Sequence, residues 1–278
     1  MSLPFRAGTI SWDVLRRPVF LLGGMRALLL QISEPSVAAG VAEHSDFADR
    51  VFDRMRHTVE VMVEVGLGDS TEAQRAVVEM NQAHRGVCGT MPDGSPYDAA
   101  QPELRLWVLA TLIDTVLVVE ATYVGEFQDE DRARYYRESL EVARVLEVGD
   151  APQSLDEFHG YMTERFDRLA ITDHARQIAH HVLHPRLGWA PQWVWAPLRV
   201  ITADLLPVRL RKGYGLSLSP RQATWLDRFQ AMTRATLPRM PNWIRTFPLL
   251  RPIGGLKDRI SYSHNQVKPP MTDQFPGQ

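Results

Sequence analysis

Cysteine is nearly missing from this 278-residue chain: Cys88 stands alone, so no intramolecular disulfide can form. A reducing compartment fits that usage best. Net charge is small too, with 31 basic and 33 acidic residues giving −2. That balance lends no electrostatic support to a nucleic-acid or anionic-membrane partner. The opening residues MSLPFRAGTISWDVLRR lack the charged n-region and long apolar h-region of a secretory signal. The most apolar stretch runs from Leu106 to Val119 and contains Asp114. It is too short to span a bilayer and is expected to be a buried helix. These absences predict a soluble, cytoplasmic protein without a transmembrane segment. No Gly/Ser linker, internal repeat or low-complexity block divides the chain, and no GxGxxG, P-loop or GxSxG signature is present. Nucleotide-binding and serine-hydrolase readings therefore have no foothold.

What is present is ordinary globular composition, 45% hydrophobic and 23% charged, enough to bury a sizeable core and to exclude disorder as the main state. Helical periodicity and punctuation dominate, and strand signals are scarce. Ser33 is placed as the N-cap of a helix over 34–45, with Pro35 in its first turn. Residues 46–65 put Phe47, Val51, Met55, Thr58, Met62 and Val65 on one stripe, ended by Gly66 and Gly68. Ser70 or Thr71 caps a third helix, on which Ala73, Val77, Met80, Ala83, His84 and Val87 share a face. Residues 89–101 read as a turn-rich loop around Asp93-Gly94. A long apolar helix is predicted over 102–125, and a polar, water-facing one over about 128–148. Further helices are predicted at 155–170, 173–183, 198–206 and 219–236. Segment 185–197, with three prolines and three tryptophans, reads as a packed crossover. The expectation is one all-α domain, a multi-helix globular bundle with its core at about 20–250 and a polar tail from about 261.

Four stretches in order, GGMRALLLQISEPSVAAGVAEHSDF (23–47), RMRHT (54–58), HRGVCG (84–89) and YDAAQPELRLWVLATLIDT (97–115), followed by LLPVRLRKGYGLSLSPRQ (205–222), carry a family resemblance. The chain resembles the DUF2236 family, which includes the MpaB-type and latex-clearing rubber oxygenases. The resemblance covers about residues 20–250. It implies a helical fold enclosing a b-type haem, with O₂ chemistry on large apolar substrates. The histidine of the H-x-x-V-x-G segment, here His84, is implied as the axial iron ligand. A haem needs a neutral imidazole presented from a rigid element inside an apolar pocket, and the predicted helix face provides one. The bland alternative is a core histidine satisfied by a backbone carbonyl.

Arg54 and Thr58, four apart on one helix face, match an arginine and a threonine that this family holds near the haem. Arg54 would pair with a propionate, and the Thr58 hydroxyl would order a distal water or O₂. His57 is a candidate sixth ligand of the resting iron, although it lies about 100° around the helix from Thr58. Arg26, in a Gly-Gly-x-Arg stretch, is a candidate partner of the second propionate or else a snorkelling side chain. His44 belongs to the family pattern as a pocket-lining residue, or merely ends a helix. Two departures stand out. Leu109 replaces a histidine frequent in relatives, and near Ala38 there is no carboxylate for the glutamate base of the rubber oxygenases. Glu43 and Asp46 are the nearest substitutes.

Two competing sites weigh less. His180, His181 and His184 form HHxxH, with the i,i+4 spacing of two zinc ligands but no acidic residue between them and no third ligand. Cys88 is a conceivable thiolate ligand, but a buried inert thiol is the simpler reading. The expected function is thus a haem-dependent oxygenase acting on an isoprenoid or lipid-like substrate, with oxidative C=C cleavage among its options. O₂, that substrate and an electron donor are the implied partners. The alternative is a non-catalytic, all-α protein that binds haem or another apolar ligand.

Overall fold

A computed structural model describes residues 8–44, 58, 60–66, 70–91, 93–185, 191–241 and 245–246. Helix α1 (Ile10–Arg16) starts at Thr9, whose side chain accepts the Trp12 amide. A 3-10 helix over Pro18–Gly23 runs straight into α2 (Gly24–Gln31), and α3 (Pro35–His44) follows. Residues 60–66 are helical, as the sequence stripe predicts. Next come α4 (Ser70–His84) and two short strands, β1 (Cys88–Thr90) and β2 (Pro96–Asp98). The second half holds α5 (Pro102–Val119), α6 (Asp129–Val145), α7 (Leu155–Arg168) and α8 (Asp173–Leu183). After a 3-10 turn over Gln192–Trp195 come α9 (Ala196–Leu205), α10 (Val208–Gly213) and α11 (Pro220–Thr236). The all-α expectation holds, with a two-stranded hairpin as its one addition among the described residues.

The apolar run becomes the central element. Helix α5 is hydrophobic around its circumference and packs against α2, the Pro18–Gly23 helix and α6, with Trp107, Leu109, Ala110 and Val119 buried. Its last turn widens into a π-helical turn over Glu120–Val124. Gly125 then stops it in the left-handed conformation, φ 70°, and its N–H returns to the Glu120 carbonyl at 2.8 Å. Glycine takes that positive φ without the strain that L residues would carry. No helix among the described residues is long and apolar enough to cross a membrane.

The polar helix α6 presents charges to water on one side only. Its other side buries Tyr135, Tyr136, Leu140, Val142 and Ala143. A capping box closes its start, Gln128 and Asp131 exchanging side-chain and backbone bonds.

Four sequence expectations are corrected. Ser33 does not serve as an outward cap: its hydroxyl turns back to the Leu29 carbonyl at 2.7 Å and meets the Tyr214 hydroxyl at 2.9 Å. Segment 89–101 is not only loop. It contains the β1–β2 hairpin, in register Cys88 with Asp98 and Thr90 with Pro96, closed by Asp93-Gly94 with Gly94 at φ 87°. Asp93 accepts both the amide and the hydroxyl of Ser95, bonds that hold its carboxyl below the ordinary range. On α4 the buried positions are Ala73 and Ala76, while Ala83 faces water, so the apolar face fades before the helix ends. In the tryptophan-rich crossover Trp195 is tucked in, but Trp193 stands 74% exposed.

Candidate active site

His84 ends α4 and is half-buried. Its Nδ1 lies 2.7 Å from the Met80 carbonyl one turn back. A carbonyl only accepts, so Nδ1 carries the proton and Nε2 is the basic nitrogen of the ring. This is the tautomer that a metal-binding imidazole adopts when a carbonyl orients it from behind. At Nδ1 the arrangement is the carbonyl-satisfied alternative.

The residues that follow fix the chain direction. Gly86 takes φ 81°, a turn that strains any other L residue. The Val87 amide returns to the His84 carbonyl at 3.2 Å, and the Val87 carbonyl receives the Ala99 amide at 2.9 Å, which ties the helix end to the hairpin. Gly89 in β1 faces Tyr97 in β2. A Cβ at Gly89 would lie 2.6 Å from the tyrosine hydroxyl and 2.8 Å from its ring carbon Cζ. The H-x-x-V-x-G spacing therefore has a local cause: a helix-terminal histidine, a turn, and a strand position left bare for an aromatic ring.

Tyr97 organises the far side of this unit. It is 2% exposed, and its hydroxyl donates to Glu43 Oε2 at 2.5 Å. Burial, with the Glu43 hydrogen bond and charge, pushes its phenol up to about 12. With the phenol proton given to Glu43, the oxygen accepts from His44 Nε2 at 3.1 Å, and the same N–H reaches the Cys88 carbonyl at 3.2 Å. His44 thus braces the hairpin against the end of α3 through Nε2. Its ring meets Tyr97 edge-on at 6.3 Å. Glu43, a sequence candidate for the missing base, is engaged in this brace. Cys88 is a free thiol at the surface, not the buried one expected.

Arg26 lies elsewhere in the core. Its guanidinium is buried and satisfied by Asp114 Oδ2 at 2.6 Å, Thr115 Oγ1 at 2.6 Å and the Leu205 carbonyl at 2.8 Å. A propionate would have to compete with Asp114 for that charge. The neighbouring Gly23 is equally explained, since a Cβ there would sit 2.3 Å from the Thr115 methyl. Leu109, standing where relatives have histidine, is core, as is Ala38. Thr58 is helical and half-buried, whereas Arg54, His57 and Asp46 lie outside the described residues.

At the HHxxH segment, His180 and His184 stack with ring centroids 4.8 Å apart on α8 and its C-cap. Partial burial holds His184 below the ordinary histidine range; the Arg199 and His180 charges add to it against the pull of the His180 carbonyl. Among the described residues no three His, Cys, Asp or Glu side chains gather as a metal cage.

Sequence reasoning missed two features. Glu120, in the π turn, is fully buried. Its Oε1 accepts the Glu126 and Phe127 amides at 2.6 and 2.7 Å, while Oε2 has no partner among the described residues. Its place at the end of an apolar run was the available signal. A cavity of about 270 Å³ lies beside the Pro18–Gly23 helix, lined by Val19, Leu22, Val124 and Phe229 with Arg17 and Arg245. Both arginines pair with Glu126 at 2.5 Å. Neither this cavity nor a second of about 140 Å³ between Leu140 and Gln153 is lined by His84.

The fold and this site define an all-α protein that presents a carbonyl-oriented imidazole at the end of a helix braced by a hairpin. A family described as ER-bound oxygenase mpaB/B′ and rubber oxygenase, catalytic domain, matches residues 12–235, and the chain belongs to that family. It is also similar to an uncharacterized protein of Mycobacterium tuberculosis and to one of Mycobacterium bovis. Each is 25% identical over 237 residues, covering 80% of this chain and 91% of the relative. No solved structure matches.

Proposed function

We propose that this chain is a haem b-dependent oxygenase of an apolar, isoprenoid or lipid-like substrate, with His84 as the axial ligand. Family membership supports an oxygenase-type activity. The observation that carries the haem reading is the 2.7 Å bond from His84 Nδ1 to the Met80 carbonyl. It places the proton on Nδ1, so that ligation would fall to Nε2. A haem takes one imidazole from the protein, which His84 can supply; the apolar pocket it also needs is not among the described cavities, neither of which is lined by His84.

When bound, the haem supplies O₂ binding and activation. The protein's own part is to hold and orient. Met80 fixes the imidazole plane through its carbonyl, and the Gly86 turn and the braced hairpin keep the helix end in place. By the family resemblance, Arg54 would pair with a propionate, Thr58 would offer a hydroxyl near the bound O₂, and His57 would be a further candidate ligand. Arg26 acts through the fold, since Asp114 already neutralises it. Oxidative C=C cleavage, hydroxylation and coupling are the reaction types to be assayed, with an electron donor as a variable.

The second reading, an apolar-ligand-binding protein without turnover, draws on the apolar cavity between Val19 and Phe229. A visible spectrum of the purified chain, with haemin added if necessary, separates the two. A Soret band that His84→Ala abolishes or shifts supports haem ligation; a chain that never gains one leaves the second reading. O₂ uptake with candidate isoprenoids then tests turnover.

A further inference from the structure

The small net charge conceals a strong segregation. Residues 185–278 hold fourteen of the 31 basic residues but only four of the 33 acidic ones, so the earlier segment is strongly acidic and the later one strongly basic. Helix α11 gathers part of that excess on its outer side. Arg221, Trp225, Arg228 and Met232 follow at spacings of four, three and four, so they form one stripe along the helix, and Arg239 continues it just beyond the end. All five are exposed, Trp225 by 39% and Met232 by 53%. The adjacent side of α11 is committed to the core through Leu226, Phe229 and Thr233, and the Trp225 ring stacks on Phe229 at its edge with centroids 5.2 Å apart.

Among the described residues no carboxylate pairs with the stripe. Asp227 lies on another side of the helix by the same geometry. Asp204, from α9, is engaged by Gln230 at 2.8 Å and by Tyr123. Glu120, from the π turn that packs against α11, is buried on backbone amides. Among the described residues Arg221 and Arg228 enter no ion pair.

Arginines interleaved with a tryptophan and a methionine are the chemistry of an interfacial surface. The guanidinium fork matches phosphate oxygens, and an amphipathic indole settles at headgroup depth. We propose that the α11 stripe docks the folded chain on an anionic phospholipid surface, lying on the bilayer without crossing it. This surface is separate from the His84 site and does not depend on haem binding there.

The test is flotation of the full chain with vesicles of phosphatidylcholine alone or of phosphatidylcholine with 30% phosphatidylglycerol. Binding is expected only to the anionic vesicles, falling several-fold at 0.5 M salt. Arg221→Glu with Arg228→Glu is expected to weaken it by about tenfold or more, at roughly one factor of five per basic residue near the surface. Trp225→Ser is expected to weaken binding while keeping the salt dependence. All three positions are exposed, and circular dichroism checks that the variants fold. Absence of binding, equal binding to both vesicle types, or undiminished binding of the double variant overturns the proposal. So does a shift to salt-sensitive dimers in sedimentation without vesicle binding, which would assign the stripe to the acidic surface of a second copy. Capture of nucleic acid in place of vesicles would overturn it as well.

Discussion

The guanidinium of Arg26 meets the carboxylate of Asp114 at 2.6 Å in the interior, 88 positions apart in the chain. Thr115 and the Leu205 carbonyl take the remaining Arg26 contacts, so one side chain joins α2, α5 and the end of α9. A buried pair contributes little net stability when both charges are compared with apolar replacements, but breaking it strands a charge.

Arg26→Met is therefore expected to destabilise the chain by about 3–5 kcal/mol, because Asp114 is left buried and unpaired. Arg26→Met with Asp114→Leu is expected to recover much of that loss. Urea denaturation of the three proteins checks this. Equal stability of Arg26→Met and the parent would show that the guanidinium is not held by Asp114.

The contact of Gly89 with Tyr97 sets a second expectation. Alanine at Gly89 places a methyl 2.8 Å from the tyrosine Cζ, in a ring anchored by Glu43 and His44. The substitution is expected to cost about 1–3 kcal/mol, as overpacking does. In a Tyr97→Ala background the cost should largely vanish, which a double-mutant cycle measures directly.

Alkaline pH provides a third. Burial raises the phenols of Tyr97, Tyr123, Tyr135, Tyr136 and Tyr214, the first to about 12 against 10 for a free tyrosine. A raised pKa means that the folded chain keeps a proton the unfolded chain has already lost. This contribution is complete below pH 10 and is lost as pH rises through the folded value. Stability is expected to fall steeply above pH 10, and absorbance at 295 nm should show these tyrosines ionising together with unfolding. For Tyr97→Phe the decline between pH 10 and 12 should be shallower.

Much of the fold is legible in the sequence because helical punctuation is local. The starts at Leu155 and Pro102 and the end at Gly125 lie within a turn of where the residues indicate. What failed depended on distant partners. Ser33 looks like a cap until Tyr214, 181 positions later, is brought beside it. Arg26 looks like a cofactor partner until α5 presents Asp114. Residues 89–101 look like loop because three-residue strands leave almost no period-two signal. At the site, the ordered motifs point to His84, and the geometry adds the Met80 carbonyl and the Tyr97 brace, neither visible as a pattern. Net charge was misleading for the opposite reason, since summing over the chain erased the separation that places arginines along α11.

The central claim is that the Nε2 atom of His84 ligates haem iron. Electronic absorption of the chain titrated with haemin, compared between the parent and His84→Ala, tests it most directly. The account predicts one equivalent bound with a sharp Soret band in the parent, and loss or displacement of that band in the variant. Identical spectra and affinities in the two proteins would contradict it.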